Sequence, residues 1–246
     1  MNLTRWLAAA VLVVGVAAAA GLWYVFFRPS GPAPVSLASE APTSSGSGGA
    51  AVATLGPIAS AAAGATSTST DGTWSVDDSA GSFVGYRVQE QLAGIGGNTA
   101  VGRTNAVTGS LTISGTSVTD VQISADLTQL KSDDDRRDGQ LHQRGLETDS
   151  FPTATFKLTQ PIDLGSVPAN GQTITVTATG QLTLHGVTKT VQVPLQARLD
   201  GSTIEVVGSI EITFADYSIT PPTSFIALSV EDHGTMELQL FFTKSS

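Results

Sequence analysis

Residues 173–199 read TITVTATGQLTLHGVTKTVQVPLQARL. On the first arm Ile174, Val176, Ala178, Gly180, Leu182 and Leu184 alternate with Thr175, Thr177, Thr179, Gln181 and Thr183. On the second, Val191, Val193, Leu195, Ala197 and Leu199 alternate with Gln192, Pro194, Gln196 and Arg198. A period of two sustained this long predicts two strands, each with one apolar and one hydrated face. His185-Gly186 sits where the chain must reverse. Glycine takes positive φ at no steric cost, and histidine tolerates it better than most residues. The apolar set is even-numbered on one arm and odd-numbered on the other, so the loop must hold an even number of residues for both sets to share a face. A two-residue loop pairs Leu184 with Val187, Gly180 with Val191 and Val176 with Leu195. Strands this long exceed the usual ~5–6 residues and favour a large curved sheet or a barrel over a small sandwich.

The same alternation recurs on either side. Val84, Tyr86 and Val88 share one face of a predicted strand over 83–90. The glycine-rich stretch 92–103 reads as a loop; its Gly94-Ile95-Gly96-Gly97 lacks the third glycine and following helix that a nucleotide site needs. Val107, Gly109, Leu111 and Ile113 lead through a Gly115-Thr116 turn to Val121, Ile123, Ala125 and Leu127, a second hairpin. Residues 132–146 break the β pattern: Ser132 is a good N-cap, and Asp133, Asp134 and Asp135 suit a helix N-terminus. A calcium loop is the alternative, but Arg144 and Gly145 stand where its closing Glu belongs. The expectation is a capped, hydrated helix across the end of a sheet. Ala154, Phe156 and Leu158 then share a face, as do Ile204, Val206, Ile210, Ile212 and Phe214, and Met236, Leu238, Leu240 and Phe242. About eight antiparallel strands, each with one apolar face, predict an all-β barrel, which also removes exposed edges.

Residues 6–27 form an almost continuous apolar run ending in Trp23, Tyr24, Phe26 and Phe27. At ~1.5 Å per residue it spans a ~30 Å hydrocarbon core, and aromatic residues suit the interface. Ala18-Ala19-Ala20 before Gly21 resembles a signal-peptidase site, but the run continues past it. The favoured reading is an uncleaved single-pass anchor with residues 1–5 in the cytoplasm and the folded part outside it; secretion after cleavage is the alternative. Residues 28–71, rich in Pro, Gly, Ser, Ala and Thr, read as a disordered tether, since such a segment buries too little to offset its ordering entropy. Residues 72–246 form the folded domain.

The chain carries a formal net charge of −9 and no cysteine. Arg5 and Arg28 balance Glu40 and Asp71, so the whole excess falls on the folded part. An acidic surface repels phosphate backbones, which argues against nucleic-acid binding. Without cysteine there is no disulfide, thiol nucleophile or Cys-ligated zinc. His142, His185 and His233 stand apart, none at a metal-ligand spacing, and read as surface or turn residues; no Gly-x-Ser-x-Gly elbow exists. The expectation is a protein with no catalytic residues, no metal and no cofactor.

Several segments carry a resemblance. Arg137-Asp138-Gly139-Gln140-Leu141 and Phe151-Pro152-Thr153-Ala154-Thr155-Phe156 resemble the Arg-Asp-x-x-Leu … Pro-x-x-x-Phe signature of the YceI-like family of bacterial proteins. Residues 180–189, from Gly180 through His185-Gly186 to Lys189, resemble its most recognisable segment, and Trp74-Ser75-Val76-Asp77 its opening. The likeness spans about 72–242. It implies an eight-stranded, lipocalin-like antiparallel barrel that binds a long-chain isoprenoid or similar amphiphilic lipid in an elongated apolar cavity. The residues expected to line that cavity are Val107, Leu111, Ile113, Val121, Ile123, Phe156, Leu158, Val176, Ala178, Gly180, Leu182, Val191, Val193, Leu195, Ile210, Ile212, Phe214, Leu238 and Leu240. Small Ala178, Gly180 and Ala197 would leave room inside. Alternation alone leaves open a solid barrel serving as a structural or adhesion module, and it leaves open a homodimer.

Overall fold

The computed structural model describes residues 32–37, 69–94, 96–222 and 227–245. The apolar run 6–27 and most of the tether lie outside the described residues. Among the described residues no helix is long and apolar enough to cross a membrane.

The strands are β1 (Gly72–Val76), β2 (Phe83–Leu92), β3 (Gly96–Thr104), β4 (Val107–Ser114), β5 (Ser117–Asp126), β6 (Lys131–Ser132), β7 (Thr153–Leu158), β8 (Ile162–Asp163), β9 (Thr173–Leu184), β10 (Val187–Asp200), β11 (Thr203–Thr213), β12 (Ala227–Val230) and β13 (His233–Lys244). Every pairing is antiparallel. Strand β1 bonds to β4 on one side and β13 on the other, so β1, β4, β5, β7, β9, β10, β11 and β13 close into an eight-membered ring. Strand β13 is long enough to hold two neighbours on one edge: residues 242–244 meet β1, and residues 235–239 meet β2. From β2 an arm of β3 and β6 continues outside the ring.

The central hairpin has the predicted register. Leu184 pairs with Val187, Gly180 with Val191 and Val176 with Leu195. His185 (φ 50°) and Gly186 (φ 72°) both take positive φ, as a two-residue turn matching strand twist requires. The histidine is nonetheless no surface residue. It is buried, its Nδ1–H donates to the Tyr217 carbonyl at 3.0 Å, and its ring packs on Phe151 at 4.4 Å.

Two expectations change. The stretch read as a loop, 92–103, is largely strand β3, paired with β2 along its length. Its glycines hid it: a Cβ at Gly102 would lie 2.3 Å from the Tyr86 ring opposite, so glycine is there to admit an aromatic. Helix α1 (Asp135–Gln140) is capped by Asp134, not Ser132; the Asp134 carboxylate accepts from the Arg136 and Arg137 amides. Ser132 instead donates to buried Asp138 at 2.6 Å, so the helix is not hydrated all round. A π-helical turn follows over Leu141–Gly145. Hydrogen-bonded contacts reach the few described residues of 28–71. Arg87 Nη2 donates to the carbonyls of Pro32 (2.5 Å) and Ala33 (2.6 Å), and Trp74 Nε1 donates to that of Thr70.

Arg87 and Arg103 also clasp Glu237 on the outside of the ring, at 2.7 and 2.8 Å, with the Glu237 side chain only 2% exposed. Gly85 stands between Glu237 and Arg103 in the cross-strand row, and a Cβ there would meet Arg103 Cγ at 2.8 Å. The missing side chain is what lets the guanidinium fold across.

Candidate functional site

Two cavities lie side by side. The first, of about 200 Å³, occupies the interior of the strand ring; the second, of about 140 Å³, lies between the β2–β3 arm, α1 and the loops beyond β11. Val84, Ala154 and Met236 border both. Each is many times the ~10–15 Å³ that one water needs.

The first cavity has walls that are apolar almost throughout. Leu111, Ile113, Val121, Ile123, Phe156, Val176, Ala178, Leu182, Val191, Val193, Leu195, Ile210, Leu238 and Leu240, all singled out by alternation, face it. Val118, Ile162, Leu164, Ile174, Ala197, Leu199, Ile204, Val206 and Phe242 also line it, with Gln172, Arg198 and Ser209 among the few polar residues at its border. Such walls offer chiefly dispersion contacts and desolvation.

Ile212, at the end of β11, and Phe214, just beyond it, line the second cavity instead. Val107, Leu158 and Gly180 lie outside both. Val107 is packed in a cluster with Trp74, Leu111 and Phe242, and Leu158 in one with Ile162 and Ala178. At Gly180 the expected room is already taken: a Cβ would lie 2.4 Å from Phe156 Cζ and 2.5 Å from the Lys157 carbonyl oxygen. Glycine there admits the Phe156 ring and does not enlarge the hollow.

The second cavity joins apolar Val88, Ala100, Leu127, Leu130, Leu141, Leu146, Leu184 and Ile219 to the polar Tyr86, Glu90 and Arg137. Sequence reading placed Tyr86 inward, but nothing in it announced this trio. Glu90 lies one strand period beyond Val88, and that parity was the available signal. Arg137 Nη2 donates to Glu90 Oε1 at 2.7 Å, Nη1 donates to Asp133 Oδ1 at 2.7 Å, and Asn98 donates to Glu90 at 2.6 Å. Burial opposes the Arg137 charge, yet its hydrogen bonds to Glu90 and Asp133 hold its pKa above the ordinary value. Burial pushes the Tyr86 phenol well above its usual range. Its hydroxyl is shielded from solvent beside the Ser132 side chain.

Of the histidines, His142 is tied into the fold, Nε2–H donating to the Leu130 carbonyl at 2.9 Å and Nδ1 accepting from Thr148. Among the described residues no three His, Cys, Asp or Glu side chains are grouped to hold a metal ion.

A closed antiparallel ring around an apolar hollow, opened by Trp74 and carrying Arg137-Asp138 on a short α-helix, agrees with a match to the YceI-like domain over residues 74–242. The chain belongs to the YceI-like family. Two solved structures align with it at low identity. One is a polyisoprenoid binding domain from Saccharophagus degradans implicated in plant cell wall breakdown. It is 23% identical, with a TM-score of 0.56, covering 70% of this chain and 98% of that domain. The other is Burkholderia cenocepacia BcnA, 20% identical with a TM-score of 0.52, covering 68% of this chain and 98% of its own. At such identity these likenesses speak to the fold. A comparison with curated protein sequences found no match.

Proposed function

We propose that this YceI-like protein is a non-catalytic carrier of a long-chain isoprenoid or similar amphiphilic lipid, whose tail lies in the first cavity. The observation that carries the reading is the hollow within the ring, about 200 Å³ and walled by apolar side chains from β4, β5, β7, β9, β10, β11 and β13. A tail buried there gains about 0.8 kcal/mol per CH₂ without any directed polar contact. The polyisoprenoid binding named for the Saccharophagus degradans domain supports the same class of ligand. Residues 6–27 supply, in this reading, a single-pass anchor that keeps the domain tethered outside the cytoplasm.

Native mass spectrometry of the full chain purified from its own host tests the proposal. A bound prenyl or fatty species is the expected result. Protein that emerges empty and fails to take up added prenyl lipid would sink it in favour of a structural module.

A further inference from the structure

Residues 32–37, Pro-Ala-Pro-Val-Ser-Leu, follow closely on the apolar run 6–27, with residues 28–31 between. Proline fixes its own φ near −65° and pushes the residue before it to extended backbone, so Pro34 keeps Ala33 extended. Backbone of this kind makes no internal hydrogen bonds and leaves its carbonyls to outside donors. The segment also has two faces: Val35 and Leu37 are half-buried, whereas Pro34 and Ser36 are exposed.

The outer wall of the barrel supplies the donors. Glu237 accepts from Arg87 Nε at 2.7 Å, and from Arg103 Nε and Nη2 at 3.0 and 2.8 Å. The Arg103 guanidinium also lies over the Phe83 ring, 4.1 Å from its centroid. Both guanidinium groups are thus pinned, and each still reaches the segment. Arg87 Nη2 donates to the Pro32 and Ala33 carbonyls at 2.5 and 2.6 Å, and Arg103 Nη2 donates to that of Ala33 at 3.4 Å. Two cations against one carboxylate leave an excess of positive charge, which suits the negative ends of carbonyl dipoles. Donors fixed in advance and a proline-stiffened acceptor both lower the ordering cost of docking.

We propose that Arg87 and Arg103 form a docking site on the outer wall of the barrel for residues 32–37 of the same chain, and that this contact holds the domain against the bilayer. The second half rests on the anchor reading of 6–27; the contact itself does not. Residues 28–31 span at most about 14 Å when extended. A free coil over 28–71 would reach about 35–40 Å. The far end of that stretch is fixed to the same domain, since Trp74 Nε1 donates to the Thr70 carbonyl and Lys244 Nζ to that of Ser69, both at 2.9 Å. Residues 38–68 then join two points on one domain and add nothing to its distance from the membrane.

The test uses the full chain in phosphatidylcholine nanodiscs, spin-labelled at Ser36→Cys and Glu211→Cys. The chain has no cysteine of its own, and both positions are exposed. Glu211 pairs with Thr235, which pairs with Arg87, so a docked segment keeps the two labels close. Pulsed dipolar spectroscopy is expected to give one narrow, short distance. Gly-Ser repeats in place of 32–37, with the label kept, are expected to abolish that peak. Arg87→Lys leaves Glu237 a cation but removes the fork that reaches both carbonyls, so the docked-to-free ratio is expected to fall about tenfold with the melting temperature unchanged. A broad distribution in the unaltered chain overturns the proposal, and so does a narrow peak indifferent to both changes. Gadolinium-chelate lipid is expected to relax the Glu211→Cys label strongly in the docked chain and weakly after Gly-Ser replacement. If the chain inserts but the distance is broad, docking fails and the anchor stands. If the peak is narrow but the chain stays in solution, the anchor reading fails and the docking site stands.

Discussion

The two cavities are built by different means. The first is walled by alternate residues of long strands, so its lining is repetitive, apolar and indifferent to the chemistry of one particular atom. The second is assembled from a strand arm, a six-residue helix and loops, which bring Tyr86, Glu90 and Arg137 together at a single place. Regular β structure makes a uniform tube; discrimination needs elements that depart from the period. Filling the tube and disturbing the polar trio are therefore separable changes, and each can be made alone.

The largest expected effect is on the tube. Ala178→Phe places a ring in the first cavity and displaces about four methylenes of tail, weakening prenyl binding by roughly a hundredfold. A folded variant that keeps full affinity in lipid titration would show that the tail lies elsewhere. Next comes the polar wall. Arg137→Ala strands the buried Glu90 carboxylate; breaking a buried pair costs ~3–5 kcal/mol, and the 18% exposure of the Arg137 side chain moderates this to about 2–3 kcal/mol. Urea denaturation measures it, and a change under about 0.5 kcal/mol would mean that Glu90 is hydrated there.

Gly180→Ala is expected to cost about 1–3 kcal/mol of stability, since the new methyl collides with Phe156 and a β7 carbonyl. An unchanged midpoint would mean that the Phe156 ring swings away, and tail affinity would then fall. The smallest effect concerns the cap of α1. The Arg137 amide hydrogen bond, helped by that of Arg136, holds the Asp134 carboxyl below its ordinary pKa. A depressed carboxyl contributes stability above its unfolded pKa and loses it as pH falls through the folded value. Asp134→Ala should therefore cost about 1 kcal/mol near neutrality and nothing in strong acid. Equal destabilisation at both pH values would assign the loss to packing instead.

Much of the ring was legible because its signals are local. Alternation marked the inward rows of β4, β5, β7, β9, β10, β11 and β13, and the His185-Gly186 turn set the register between β9 and β10. Strand β3 escaped because the glycines that make it fit against Tyr86 are the residues that weaken a strand pattern. Gly180 was misjudged for a related reason: alternation says which way a position points, not which neighbouring ring already fills the space. The cap of α1 went to Asp134 because Ser132 is engaged by Asp138, a contact visible only once the turn has formed.

By itself the sequence determined the β class, the faces of the strands, the register of the central hairpin and the apolar character of the interior. These follow from a period of two and from turn backbone preferences, which act between near neighbours. Tertiary structure alone decided that β1 bridges β13 and β4 to close the ring, that a hollow survives inside it, and that Arg137 meets Glu90 from 47 positions away. Voids and buried ion pairs depend on how distant segments approach one another, and no local pattern encodes that distance.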